Sequence, residues 1–214
     1  MAQVDKIYTP IIYKPFDKTL NKFSKINQRI DSNQIKIFNR KRPSSNINYV
    51  MEVNWSLIRP SRGGVIVYTV INNVLYFGLG IDTDSGDLTD LGGGIRKKDK
   101  SSVDGSLREF MEESLCVFGI FNEEQVKRSL VIYSQSMMII FLHLQFDLNT
   151  ITNLFDERVK SSKKPEISGL VWLTQDELEI AIKTGCINGY FGCRKLYDRV
   201  KKLLYYAADF YKFL

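Results

Sequence analysis

Glu109, Glu112 and Glu113 stand at i, i+3 and i+4 within VDGSLREFMEESLCVF, where Val103, Leu107, Phe110 or Met111, and Leu115 recur at helical spacing. A helix there puts the three carboxylates on one face with Cβ atoms roughly 5–6 Å apart, and they repel one another unless a cation lies among them. Mg2+ and Mn2+ take oxygen ligands, so the trio is a candidate hard-metal site. An acidic helix face alone is usually solvated surface, but the preceding residues add independent constraints. Gly92, Gly93 and Gly94 let the backbone turn sharply and bring a carbonyl close to the same cation, where a side chain would obstruct it. Arg108, next to Glu109, offers a planar fork that can hold one carboxylate in orientation.

From Gly92 to Ser114 the chain resembles the box of the Nudix hydrolases: glycine, five residues, glutamate, seven residues, then R-E-U-x-E-E-x-G-U with U aliphatic. Arg108-Glu109-Phe110-Met111-Glu112-Glu113 matches the second half, with Phe110 at the U position. Two positions depart from it. Counted from Gly94, Lys100 replaces the first glutamate and Leu115 the late glycine. Counted from Gly93 with one extra loop residue, Asp99 takes the acidic place. The second register is preferred, because a carboxylate beside the cluster is easier to justify than an ammonium; Gly93, Gly94 and Asp99 then support the loop.

The resemblance implies an α/β fold, an α/β/α sandwich around a mixed sheet, and Mg2+- or Mn2+-dependent attack of water on a diphosphate linked to another group. It also implies roles: Glu112 and Glu113 as main metal ligands, Glu109 as a further ligand or base, and the Gly92 carbonyl as a ligand. Glu166, between the basic SSKKP segment and the GLVWL run, lies where such enzymes often carry another acid that binds metal or activates water. A narrower resemblance rests on D-K-S-x-x-D-G-x-x-R-E from Asp99 to Glu109, E-x-x-G-L-V from Glu166 to Val171, and N-G-Y-F-G-C-R-K-L from Asn188 to Leu196. These look like the branch that decaps small nucleolar RNA and hydrolyses inosine diphosphate. Viral Nudix mRNA-decapping enzymes are similar chiefly in the box. The expected substrate is therefore capped RNA, with free inosine-type nucleoside diphosphate as the alternative. A degenerate module that binds RNA or a partner is a third reading, motivated by Lys100 and Leu115.

Other chemistry-bearing residues read more plainly. His143, the only histidine, lies in MIIFLHLQF and reads as a strand histidine away from the glutamates. Asp82, Asp84, Asp87 and Asp90 lack the closing glutamate of a calcium loop and read as loop solvation. Gly78-x-Gly80 is followed by no helix pattern and is no dinucleotide fingerprint. For RNA the candidate surfaces are Lys36, Arg40, Lys41 and Arg42, and the basic face of the last helix; Trp55, Tyr76 and Phe191 are the candidate aromatics for stacking on a base, although most aromatics are core.

The elements that must position these residues follow from local patterns. GVIVYTV and VLYFGLGI flank Asn72-Asn73 and predict a hairpin. A turn-rich loop from Ile81 to Ser102 then feeds the glutamate helix. KRSLVIYS, MMIIFLHLQF and GLVWL predict strands. TQDELEIAIKTG predicts a short helix with Thr174 as N-cap, Glu177 as its capping-box partner and Gly185 at the stop. The tail GCRKLYDRVKKLLYYAADFYKFL predicts a closing amphipathic helix, with Leu196, Val200, Leu203, Leu204, Ala207 and Phe210 on one face. Residues 1–50, with one helical pattern at Leu20, Phe23, Ile26 and Ile30, are expected as an N-terminal extension, and 51–214 as the Nudix domain.

At 214 residues, 44% hydrophobic and 25% charged, the chain has ordinary globular composition and falls outside the disordered class. Cys116, Cys186 and Cys193 form no C-x-x-C pair, which argues against a disulfide framework or zinc cage and for a reducing intracellular compartment, cytoplasmic or nuclear. No apolar run approaches the ~18–20 residues of a membrane span. Thirty Lys and Arg against 24 Asp and Glu give a net charge of +6, which favours a polyanionic partner. Oligomeric state is not fixed by any of these features.

Overall fold

Asn72 and Asn73 both have positive φ, 50° and 64°, as a tight turn between right-twisted strands requires. They join β2 (Arg62–Ile71) to β3 (Val74–Asp82). Side chains alternate along β2, so Val65 and Val67 enter one apolar cluster while Ile66 and Tyr68 enter another. The computed structural model describes residues 11–13, 55–56, 59–134, 136–207 and 210–214.

On one side β2 runs parallel to β7 (Met137–His143), from Arg62 opposite Met137 to Tyr68 opposite His143. Its other side has two partners. Val67–Ile71 pair with β3, whereas Arg62–Val65 pair with β5 (Leu91–Gly94). The two-residue β4 (Leu88–Thr89) pairs with Gly80 and Ile81 of β3. The chain thus enters a fork between β2 and β3, and Asp90 is the single residue between β4 and β5. β6 (Leu130–Tyr133) and β1 (Ile11–Tyr13) continue the sheet beyond β7, and β8 (Ile167–Thr174) flanks β3. A separate hairpin, β9 (Cys186–Gly189) with β10 (Gly192–Lys195), is tied to the sheet where the Tyr197 amide donates to the Leu88 carbonyl at 2.8 Å.

Helices cover both faces. α1 (Ser102–Glu113) contributes Val103, Leu107 and Phe110 to one cluster, after which come the short α2 (Glu123–Val126) and α3 (Leu148–Ser161), whose Phe155 joins the same cluster. α4 (Gln175–Thr184) and α5 (Asp198–Tyr206) place Leu178, Ile182, Val200 and Leu203 in the other, and a 3-10 turn, Phe210–Phe213, closes the chain. This is the α/β arrangement expected, a mixed sheet between helical layers. No helix among the described residues is long and apolar enough to cross a membrane.

Several local expectations change. The turn-rich loop contains β4 and β5, whose Leu88 and Leu91 are fully buried and lie opposite Ile81 of β3 and Val65 of β2. The strand through MMIIFLHLQF stops at His143; Asp147 then caps α3, which the sequence reading did not anticipate, by accepting from the Thr150 amide at 2.8 Å. The tail is not one helix: Gly192–Lys195 pair as β10 before α5 starts at Asp198, although the expected apolar residues from Leu196 to Phe210 are all buried. The helical pattern at Leu20–Ile30 and the basic residues Lys36 to Arg42 lie outside the described residues.

Candidate active site

Ser101 starts α1 by accepting a hydrogen bond from the Asp104 amide at 3.0 Å. The helix then delivers its carboxylates to the Gly92–Gly94 strand. Glu109 packs directly on Gly93, where a Cβ would lie 2.6 Å from its Cδ. Glu113 reaches further, and the Gly92 amide donates to its Oε2 at 2.6 Å. Both are buried, while the Glu112 side chain is half exposed. The contact that Gly92 makes is through its N–H, beside the carbonyl that the sequence reading singled out.

Arg108 organises this end of the helix. Its Nε and Nη2 each lie 3.0 Å from one oxygen of Asp99, and its Nη1 donates to Glu109 at 2.6 Å and Glu112 at 3.2 Å. The same Nη2 also donates to the Gly94 carbonyl at 3.0 Å. The Arg108 side chain holds the Asp99 carboxyl below the usual carboxylate range, and Asp99 in turn raises the guanidinium pKa. Asp99 is buried and also accepts from the Arg96 amide at 2.6 Å, while Lys100 is exposed. Its carboxylate therefore braces an arginine. Gly105 makes room for this: a Cβ there would stand 2.6 Å from Asp99 Oδ2, which accounts for a glycine inside a helix.

A second arginine, Arg96, lies 3.6 Å from Glu109 and 3.3 Å from Glu112. A third, Arg62, makes a 3.0 Å ion pair with the fully buried Asp90. Burial, then the charge of Asp90, pushes Glu113 up to about 9; the exposed Glu166, just before β8, adds to that repulsion, while Arg62 and the Gly92 amide oppose it. The sequence reading missed Arg62, Arg96, Asp90 and Gly105. Asp90 is a correction: it is no solvated loop carboxylate, because the fork between β2 and β3 encloses it completely. The one available signal was its position beside the glycine run.

Other candidates lie elsewhere or serve packing. His143 stacks on Tyr68 at 5.0 Å, at the opposite end of β2 from Arg62. Trp55 is core, edge-on to Tyr133 at 5.9 Å, and Tyr76 and Phe191 are partly buried against the two clusters. Gly78 and Gly80 are strand positions crowded by Trp172 and Ile167.

Asp90, Asp99, Glu109 and Glu112 pair with three guanidinium groups, Glu113 feels the charges of Arg62, Asp90 and Glu166, and the side-chain oxygens are all hard donors. That chemistry fits Mg2+ or Mn2+. Among the described residues no three acidic, histidine or cysteine side chains converge as a ready-made metal cage, since Glu109 and Glu112 are turned to Arg96 and Arg108.

No family model and no curated protein matches the chain. Solved structures do. An Ap4A hydrolase of C. elegans in a binary complex is 14% identical, with a TM-score of 0.42 over 72% of this chain and 98% of that one. The Nudix domain of Shewanella oneidensis NrtR, complexed with ADP ribose, is 12% identical, with a TM-score of 0.36 over 56% and 76%. The Nudix hydrolase RenU of M. smegmatis is 12% identical, with a TM-score of 0.35 over 56% and 74%. The chain is similar to Nudix hydrolases. At these identities the likeness assigns no residue a role.

Proposed function

We propose that this chain is a Nudix hydrolase that uses a divalent cation to cleave a nucleoside-diphosphate linkage, with capped RNA as its substrate. The observation that carries the reading is the clamp in which Asp99 fixes Arg108 and Arg108 fixes Glu109 and Glu112 against the glycine strand. Both departures from the box have physical substitutes. Asp99 supplies the carboxylate that Lys100 does not, and Leu115 adopts the left-handed backbone, φ 52°, that a glycine would take there. Both features support an active box over the degenerate reading.

Mg2+ or Mn2+ bound here would neutralise diphosphate oxygens and make water more acidic. Glu112, Glu113 and the Gly92 carbonyl would hold it, with Glu109 and Glu166 as further oxygens or as proton acceptors. A water oxygen would bond to one phosphorus as the bridging P–O bond breaks, the bridging oxygen leaving with the electron pair on the departing phosphate, and one proton of the water would pass to a carboxylate. Arg108 and Asp99 keep Glu109 in place throughout. The net charge of +6 and the exposed Lys195, Arg199 and Lys202 support a polyanionic substrate.

The test is a product assay over capped RNA, nucleoside diphosphates and dinucleoside polyphosphates with Mg2+ and Mn2+. Release of a nucleoside diphosphate from capped RNA at the highest kcat/KM is expected. Preference for free inosine diphosphate would favour the nucleotide-pool alternative. Glu112→Gln and Glu113→Gln should each lower turnover at least ~100-fold while the fold is kept, since they replace a carboxylate able to ligate a cation by an amide of the same volume. Unchanged activity in both would sink the assignment.

A further inference from the structure

Between Gly94 and Ser101 the chain carries Arg96, Lys97, Lys98 and Lys100 and a single acid, Asp99, whose carboxylate is turned inward and buried. The Asp99 amide donates to the Arg96 carbonyl at 3.1 Å, and Asp99 Oδ2 accepts from the Arg96 amide at 2.6 Å. Arg96–Asp99 is thus a turn closed twice, with Lys97 and Lys98 at its corner. Both flanks are fastened. The Ile95 amide donates to the Ser61 carbonyl at 3.2 Å, and the Lys100 amide donates to Asp104 at 3.0 Å. Arg59 comes to the same place from before β2, its Nη2 donating to the Asp99 carbonyl at 3.1 Å and its Nε to the Ser56 carbonyl at 3.2 Å.

Lys97, Lys98, Lys100 and Arg59 are all exposed, and among the described residues none of the four pairs with a carboxylate. The nearby acids are engaged otherwise: Asp104 with the Lys100 amide, Glu123 with the Ser101 hydroxyl, and Glu112 with Arg96 and Arg108. A merely solvated face interleaves both signs, whereas here like charges crowd a stiff turn whose one acid is spent inside. The turn also adjoins the carboxylates of the candidate site. Asp99 is joined to Arg108 at 3.0 Å and Arg108 to Glu109 at 2.6 Å, while the Arg96 guanidinium lies 3.3 Å from Glu112.

We propose that this turn, with Arg59 beside it, is the docking surface for the RNA strand that leads away from the cap, its exposed cations neutralising backbone phosphates just beyond the reacting diphosphate. The inference rests on the capped-RNA reading and deepens it by giving the strand a path. An acidic polypeptide would also answer the charge. RNA is favoured because a strand whose 5′ end is held at Glu109 and Glu112 must leave across a neighbouring surface, and this cationic turn is joined to both carboxylates through Arg96 and Arg108.

Anisotropy of a labelled, uncapped 12-nucleotide single-stranded RNA, titrated with the full chain in chelator over a series of salt concentrations, tests it. Lys97→Ala with Lys98→Ala should weaken binding at least ~10-fold near 0.1 M salt and make the salt slope shallower by about 1.4, two phosphates at ~0.7 each. Lys127→Ala with Lys160→Ala removes the same charge from other exposed positions and should leave both quantities nearly unchanged. Equal losses in the two pairs, or none in the first, overturn the proposal. Should the turn pair fail to fold, lysine acetylation of the unsubstituted chain read by mass spectrometry decides: RNA should protect Lys97, Lys98 and Lys100, and protection confined to other lysines overturns the assignment. Displacement of the RNA by poly-glutamate at equal charge concentration would make this a surface for an acidic protein and overturn it too. If capped RNA is cleaved and the turn pair alters neither affinity nor slope, this inference alone fails. If the turn governs RNA affinity and capped RNA yields no product, the catalytic reading fails and the surface stands.

Discussion

Asp99 and Lys100 are neighbours in sequence with opposite fates: one buried against Arg108, the other exposed. Asp99→Ala leaves Arg108 free to swing from Glu109, so it should lower turnover more than Lys100→Ala, with the kcat effect outlasting saturation by metal. A larger loss in Lys100→Ala would restore the register counted from Gly94 and give the lysine a phosphate to hold. Glu113 makes a second prediction at this scale. Its pKa is raised from 4.5 to about 9, so in chelator the neutral acid stabilises the fold fully below about pH 4.5. That contribution is lost as pH climbs through about 9. Melting curves in chelator from pH 5 to 9 should fall more for the unsubstituted chain than for Glu113→Gln, and equal slopes would refute it. The glutamates were legible because three of them repeat at helical spacing. Arg62 and Asp90 were not: they stand 28 residues apart, one on β2 and the other between β4 and β5, and each alone reads as ordinary solvated charge.

Helix ends carry the next level of consequence. α1 stops at Glu113, and both Leu115 and Cys116 then take positive φ, 52° and 56°. An L-residue there is strained by roughly 1 kcal/mol relative to glycine. Cys116 is exposed, so Cys116→Gly should stabilise the chain by about 0.5–1 kcal/mol in chemical denaturation. Leu115 packs partly on the core, so Leu115→Gly loses apolar contact and gains less. A destabilised Cys116→Gly would contradict the strain argument. The elements with self-contained signals were readable: the Asn-Asn hairpin, and α4 with Thr174 and Glu177 bonded reciprocally as expected. α3 was not, since Phe155 alone among its residues is fully enclosed and its apolar stripe is thin. β10 was absorbed into a helical periodicity that begins in earnest only at Asp198, because its strand partner, β9, holds it outside that helix.

Across the whole molecule, 30 Lys and Arg stand against 24 Asp and Glu, while carboxylates gather at the end of α1; under the proposed function the two would act on different parts of one substrate. If the substrate is RNA, affinity should fall with salt at a slope near −0.7 per neutralised phosphate. Lys201→Glu with Lys202→Glu should flatten that slope and spare hydrolysis of a small diphosphate. A capped dinucleotide handled as well as long capped RNA, with no response to the reversals, would make the basicity incidental.

The parallel pairing of β2 with β7 has a kinetic meaning. Ser61 donates to the Ser136 carbonyl across 75 residues of sequence, and Thr83 is bonded through its amide to Glu166. Loops of that span must close before either contact returns any free energy, which slows the search for the native state. The glutamate helix is synthesised early, yet the floor on which its carboxylates rest is completed only when later strands dock. A nascent chain ending before Met137 would carry the entire box and still lack the interior strand that flanks β2. Competence to bind a cation should therefore appear late in refolding, in the same kinetic phase as burial of the β7 core, making metal uptake a clock for the last step of assembly.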